Sequence, residues 1–358
     1  MAAPTAAETG TPSSGRARHV FIIVLENETF GTSFGANSDA PFLAKELTSK
    51  GELLTHYYAI GHYSLDNYIA MVSGQAPTPQ TQRDCIHDYQ DFAPAAAAAD
   101  SFGQVKGSGC VYPDSVRTIA NQLEAKGLTW GGYMEDMSRD CQHPELNQPD
   151  DHVKAKPGDQ YVTRHNPFVY FHSLIDHPTC DAHVAPLTHL DADLKSIATT
   201  PNLVFITPNL CNDGHDGVSA ICVGGHLKSA DRFLQQMVPK ILGSPAYRQD
   251  GMLIITFDEG KLGYDENHTI DPQKTDVTAC CKEPTGPNVT MPGIIGPGGG
   301  RIGAVILSRY VKPGSRNDTE YNHYALLRGL EDLFGLDHLG YAQDSGLNSF
   351  DGVFNQRP

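Results

Sequence analysis

An uninterrupted apolar run near the start of the chain, HVFIIVL over residues 19–25, stops abruptly at Glu26 and Asn27. A β-branched run without polar alternation belongs to a strand covered on both faces, the condition of a parallel strand between helices. The pattern recurs as LVFIT at 203–207, MLIITF at 252–257 and RIGAVIL at 301–307. A shorter strand is expected over 128–134. Helix-periodic segments lie between these runs: 40–50 ahead of Gly51, one beginning at Ser64, 115–126 ahead of Gly127, 229–242, and 324–334. Residues 78–109, 143–167 and 260–293 are polar and punctuated by Gly and Pro, and read as irregular. Strand alternating with helix specifies an α/β fold, a three-layer α/β/α sandwich around a mostly parallel sheet. No internal repeat or linker divides the chain, so one domain is expected over 18–358 behind a polar, disordered lead-in over 1–17.

In open α/β sheets ligands gather beyond the carboxyl ends of the strands. Three such ends carry Glu26 and Asn27, Asp213 and His215, and Asp258 and Glu259. Ser64 heads a helix within GHYSLDNYIAMVSG (61–74), where free N–H groups and the helix dipole favour an anion such as phosphate. Taken singly, Ser64 is an ordinary helix cap and Asp258-Glu259-Gly260 an ordinary turn. Their repetition at several strand tips favours a site. Carboxylates, an amide carbonyl and a serine oxygen form a hard, all-oxygen set suited to a divalent cation such as Ca²⁺, Mg²⁺ or Mn²⁺. A cation there would lower the Ser64 hydroxyl pKa and supply positive charge that the chain otherwise lacks. A serine-esterase elbow is excluded because the second glycine of G-x-S-x-G is missing. Gly298-Gly299-Gly300 lacks the G-K-[ST] of a phosphate loop.

The formal net charge of −16 over 358 residues argues against a nucleic-acid or anionic-membrane face, since both are held by clustered Lys and Arg. Any phosphate handled here needs a local cation. No apolar run is long enough to span a bilayer. Eight cysteines in loop-like surroundings, with no C-x-x-C pair, point to disulfides in an oxidising compartment, Cys211 and Cys222 lying close enough to close a short loop. The expected setting is therefore extracellular or periplasmic.

Six separated segments resemble, in order, the phosphoesterase family of bacterial acid phosphatases and phosphatidylcholine-type phospholipases C, within the alkaline phosphatase superfamily. They are VLEN (24–27), TWGGYMEDM (129–137), RHNPFVYF (164–171), PNLCNDGHD (208–216), FDEG (257–260) and YNHYALLRGLEDLFGL (321–336). The resemblance implies an alkaline-phosphatase-like fold and a single metal held by Glu26, Asn27, Ser64, Asp258 and Glu259. It also implies that Ser64 is the nucleophile and that Asn67 steadies a phosphoryl oxygen. At Asp66 the chain departs from the proline usual in that pattern. A leaving alkoxide needs a proton donor, and His165, His215 and His323 lie in the family-like segments, with His62 two residues before Ser64. The implied activity is a secreted acid phosphatase on small phosphate monoesters, extending to phosphoinositide-like lipids. A phospholipase C-type phosphodiesterase and an inactive secreted binding protein are the alternatives.

Overall fold

The computed structural model describes residues 16–350 and Val353. Most of the expected lead-in, residues 1–15, lies outside the described residues. Packing begins before the expected boundary, because Ala17 is already in the core and the Arg18 N–H donates to the Asp250 carbonyl.

Eight strands form the main sheet: β1 (His19–Leu25), β2 (Glu52–Tyr58), β3 (Trp130–Met134), β4 (Val184–Pro186), β5 (Leu203–Thr207), β6 (Gly251–Phe257), β7 (Ala304–Ser308) and β8 (Ser315–Asn322). Their order across the sheet is β8-β2-β7-β6-β1-β5-β3-β4. Every pairing is parallel except those of β7, which runs antiparallel to β2 and β6. All seven residues of β1 and all seven of β6 are buried, as their unbroken apolar sequences require. Burying each Val, Ile or Phe side chain contributes roughly 1.5–3 kcal/mol before chain entropy is counted.

Helices cover both faces, giving the three-layer sandwich expected. One group joins α1 (Ser64–Ser73), α2 (Ile119–Ala125) and α4 (His323–Phe334). The other centres on α3 (His226–Gly243), packed against the π-helical turns Phe42–Leu47 and the short helix Pro245–Asp250. Boundaries shift where local chemistry decides them. α2 starts at Ile119 rather than 115 because Thr118 and Asn121 close a capping box. β7 starts at Ala304 because Gly303 sits at φ +79, where a Cβ would strike the Phe30 ring. Strands β2, β4 and β8 were not expected. β8 reads SRNDTEYN and lies at the sheet edge with alternating exposure, so charge rather than apolarity marks it.

The eight cysteines pair as Cys85–Cys110, Cys141–Cys180, Cys211–Cys222 and the adjacent Cys280–Cys281. No helix among the described residues is long and apolar enough to cross a membrane.

Candidate active site

Leu25 and Phe257 are register partners, so Glu26 and Asp258 are the first residues past the ladder on neighbouring strands. The backbone extends the pairing: Asp258 N–H donates to the Leu25 carbonyl at 2.8 Å, and Glu26 N–H to the Asp213 carbonyl at 2.9 Å. This brings the loops after β1, β5 and β6 together. Asn27 turns into the left-handed region at φ 58, a conformation asparagine tolerates, and its N–H donates to Asp258 Oδ1 at 3.0 Å. Its side-chain amide reaches towards Glu26 Oε2 at 3.4 Å. His165, from the turn Thr163–His165, lies stacked on Tyr68 and between two acids, with Nε2 3.4 Å from Glu26 Oε2 and Nδ1 3.2 Å from Asp213 Oδ2.

Ser64 is the first residue of α1, and Tyr63 before it holds φ 74 and ψ 148. For a non-glycine residue that backbone costs roughly 1–3 kcal/mol, the kind of strain that persists where surrounding contacts over-determine a turn. Here the turn aims the hydroxyl at Glu26: Ser64 Oγ donates to Oε2 at 2.8 Å, and Tyr68 donates to Oε1 at 2.5 Å. The anion that the helix N-terminus attracts is not left to a substrate. Asp84 takes that place, accepting the Leu65 N–H at 2.9 Å, with the Ser64 N–H also directed to it. Arg164 Nε stands 3.5 Å from the other Asp84 oxygen.

Asn67 does not reach outward as expected. Its Oδ1 accepts the N–H groups of Ile60 and Gly61 at 2.8 and 3.1 Å, and its amide donates to the carbonyls of Gly61 and Tyr63 and to Asp66. All its hydrogen-bonding capacity is spent on building the turn before Ser64. Glu259 likewise turns from the other acids to His62, with Oε2 2.5 Å from Nδ1, although it still lines the cavity above Ser64.

Glu26, His165 and Asp213 offer ligand atoms that lie within 4.8 Å of one another, all from buried residues. Asp258 lies beside both Glu26 and Ser64. Both His165 nitrogens, Asp213 Oδ2 and Asp258 Oδ2 are buried without a hydrogen-bond partner. Such atoms are costly unless something pairs with them. Burial, then the charges of Asp258 and Asp213, pushes the Glu26 carboxyl well above its ordinary range. Burial raises Asp213 and Asp258 as well. Burial, with Arg164 and His215 adding positive charge, drives His165 well below its usual value, leaving a neutral imidazole with a lone pair to give. A divalent cation fits this donor set, and its arrival would remove the reason for each upward shift. The set departs from the expected ligands by including His165 and Asp213 and by turning Glu259 aside.

Residues 36–337 match the Phosphoesterase family. The chain belongs to that family. A phosphate-repressible acid phosphatase from Penicillium chrysogenum is 29% identical over 326 residues, 91% of this chain and 61% of that protein. A phosphatidylinositol-3-phosphatase from Mycobacterium tuberculosis is 23% identical over 327 residues, 91% of this chain and 80% of that protein. The chain spans between 54% and 63% of the length of the fungal acid phosphatases it matches. Among solved structures, Ps i-CgsB aligns with a TM-score of 0.55 at 14% identity, covering 96% of this chain and 78% of its own. An alkaline phosphatase superfamily protein from Vibrio parahaemolyticus aligns with a TM-score of 0.52 at 14% identity, covering 91% and 68%. The fold is that of this superfamily.

The histidines of this family member divide by surroundings. His323 is fully buried, with Nε2 donating to the Asp258 carbonyl at 2.6 Å and Nδ1 3.0 Å from the Tyr57 hydroxyl. Burial lowers its pKa to about 4. Both nitrogens are spent, so it supports the Asp258 turn and cannot protonate a leaving group. His62 Nε2 likewise faces the Asp276 carbonyl at 2.9 Å. His215 is half-buried and borders the same cavity as Ser64, Asn27 and Asp84, a space of about 220 Å³. Its Nδ1 is held by Asp216 at 2.8 Å, and Nε2 lies 3.3 Å from Arg164 Nη2. Arg164 and Asp84 are the residues sequence reasoning missed. The demand for a local cation was assigned to a metal ion, although the RHNPFVYF segment also carries an arginine, and no motif marked Asp84.

Proposed function

We propose that this phosphoesterase is an exported, metal-dependent acid phosphatase that hydrolyses phosphate monoesters through a phosphoserine on Ser64. The observation that carries the reading is the Ser64 hydroxyl, aimed from a strained turn at Glu26 within a group of unpartnered carboxylate and imidazole atoms. Glu26, Asp258, Asp213 and His165 would hold the cation, Ca²⁺ before Mg²⁺ or Mn²⁺, with Ser64 beside them and Asn27 at the rim. When bound there, the ion supplies Lewis-acid stabilisation of phosphoryl charge and a lowered serine pKa.

The chain's own groups then divide the work. Ser64 Oγ bonds to phosphorus while its proton passes to Glu26 Oε2, the acceptor it already faces. The bond from phosphorus to the leaving oxygen breaks, and that oxygen takes a proton from His215 Nε2, which has to be protonated and released from its contact with Arg164 Nη2 beforehand. Asp216 holds Nδ1 and so fixes the orientation of the ring. Arg164 is the buried cation that offsets phosphate charge in an otherwise acidic chain. In the second half, His215 accepts a proton from water, which attacks phosphorus. Phosphate departs and Ser64 Oγ recovers its proton. The disulfides support an exported setting. The name of the mycobacterial relative supports extending the substrates to phosphoinositide headgroups.

The test is hydrolysis of a chromogenic phosphomonoester against the matching diester, with chelator and then each cation restored. Wild type should turn over the monoester, lose that activity with chelator and regain it with one cation. Ser64→Ala should fall by about 10³-fold or more while keeping its fold, the scale of losing a group essential to the transition state. Full activity in folded Ser64→Ala would remove Ser64 as nucleophile, and diester preference would favour the phospholipase C reading.

A further inference from the structure

The acidic end of TWGGYMEDM, Glu135-Asp136-Met137, plays no part in the chemistry above. On the neighbouring strand pair it holds a place like that of Glu26 and Asp258. Met134 and Thr207 are register partners on β3 and β5, so Glu135 is the first residue past that ladder. Its N–H donates to the Thr207 carbonyl at 3.0 Å, and its side chain turns to the loop that follows β5. Glu135 Oε2 accepts the Asn209 N–H at 2.9 Å, and the Asn212 side-chain amide donates to its two oxygens at 3.0 and 3.1 Å. Asp136, turned into left-handed backbone at φ 62, accepts from the Asn209 side-chain amide at 2.8 Å.

Those contacts decide where Asp213 stands. Asn209 Oδ1 accepts the N–H groups of Cys211 and Asn212, both at 3.0 Å, and the Asn209 carbonyl accepts that of Asp213 at 2.9 Å. Asn209 is thus the hub of the loop, and Glu135 and Asp136 hold it by main chain and side chain. From there the Asp213 carbonyl accepts the Glu26 N–H, its Oδ1 accepts the His215 N–H at 2.8 Å, and its Oδ2 is left buried and unpartnered. Met137 reaches the other side of the site: its sulfur accepts from the Asn166 amide at 3.8 Å, and Asn166 follows His165 in the chain. The groups that meet the Glu135 carboxylate are all N–H donors. A carboxylate offers acceptors only and suits them, whereas glutamine would set an N–H of its own against one of them.

We propose that Glu135, Asp136 and Met137 are positioning residues for the cation: Glu135 and Asp136 fix the loop that presents Asp213 Oδ2, and Met137 the turn that presents His165. The inference rests on the reading of Asp213 and His165 as ligands. Glu135 does not line the cavity over Ser64 and acts through Asn209 and Asn212. Partners that orient metal ligands in this way set metal affinity, and their loss typically costs about 10–100-fold.

Isothermal titration calorimetry of chelator-stripped protein with Ca²⁺, Mg²⁺ and Mn²⁺ in turn tests it without recourse to turnover. For the ion that wild type binds, Glu135→Gln should raise Kd by about tenfold or more. Asn212→Ala, at a half-buried position, should raise it less, and it carries the test should Glu135→Gln fail to fold. Tyr133→Phe removes a hydroxyl of the same strand, which donates to Asp193 at 2.7 Å, and should leave Kd unchanged. A similar rise in Tyr133→Phe would overturn the proposal, since any loosening of β3 would then suffice. Unchanged Kd in folded Glu135→Gln and Asn212→Ala, with wild type still binding, would overturn it and leave the metal site standing. Failure of wild type to bind any of the three ions would overturn the metal site and this proposal with it.

Discussion

At the start of β1, His19 Nδ1 stands 2.6 Å from Asp250 Oδ1, just ahead of β6. At the finish of the same two strands, seven residues on, Glu26 and Asp258 lie side by side, and His165, 3.4 Å from Glu26, is shared with Asp213. Burial acts upwards on Asp250, but hydrogen bonds from His19 and Gln249 outweigh it and hold the carboxyl below its usual value. At the other end burial and like charge act together, and the carboxyls rise. The strands are the same, but Asp250 is less deeply enclosed than Glu26 and Asp258, so both burial and pairing separate the two ends. One end pairs its acid and so serves stability; the other gathers acids, the arrangement that the proposed cation site calls for. Local destabilisation at one edge of an otherwise satisfied sheet is the physical mark of a site.

The largest expected effect that would sharpen this contrast is on activity. Glu26→Gln should lower monoester turnover by about 10³-fold or more, whereas Asp250→Asn, at the far end, should stay within about twofold, by the rule that distant sites act independently. Stability should run the other way. With chelator present, Glu26→Gln should be as stable as wild type or more so, because a buried acid crowded by Asp258 and Asp213 has been replaced by a neutral group. Asp250→Asn should lose about 1.5–3 kcal/mol, the usual worth of a charged hydrogen bond. Urea unfolding of the three proteins decides the matter, and equal destabilisation by both variants would break the comparison. His323→Ala should cost about 1–3 kcal/mol by stranding the Tyr57 hydroxyl, which loses its buried partner. If His323 only supports the Asp258 turn, moreover, the shape of the pH–rate profile should be unchanged even where turnover drops.

Much of this was legible in the residues because two-faced burial writes itself as unbroken apolar sequence, and β1, β5 and β6 are such runs. Glu26 and Asp258 followed, since the residue after a buried parallel strand lands at the sheet's carboxyl edge. β8 was illegible because an edge strand wears solvent-facing charge. Asp213 was visible at a strand tip but not as a ligand, and His165 was expected to move protons. The ligand roles proposed for both rest on His165 being wedged between two acids from other elements, which no spacing reports. Asn67 was misread for the same reason: an amide inside a tight turn can be consumed by that turn. Asp84 sits in an irregular stretch, and only the neighbouring Cys85, tied to Cys110, hints that the loop is fixed against the helix.

The smallest expected effect is the pH dependence of the two ends, and its sign separates them. Asp250 is depressed in the folded protein, so its contribution is present above the unfolded carboxyl value of about 3.9 and is lost as pH falls through the folded one. Glu26 is raised, so its contribution is fully present below the unfolded value of about 4.3 and is lost as pH rises towards the folded one. In chelator, the stability difference between wild type and Asp250→Asn should therefore grow as pH rises through about 4, while that between wild type and Glu26→Gln should shift against wild type. Adding Ca²⁺ should reverse only the second slope, because a cation competes with protons for Glu26 and has no ligand set at Asp250. Parallel slopes at the two ends, with or without Ca²⁺, would mean that the surplus acids at the strand ends are paired by something other than a metal ion.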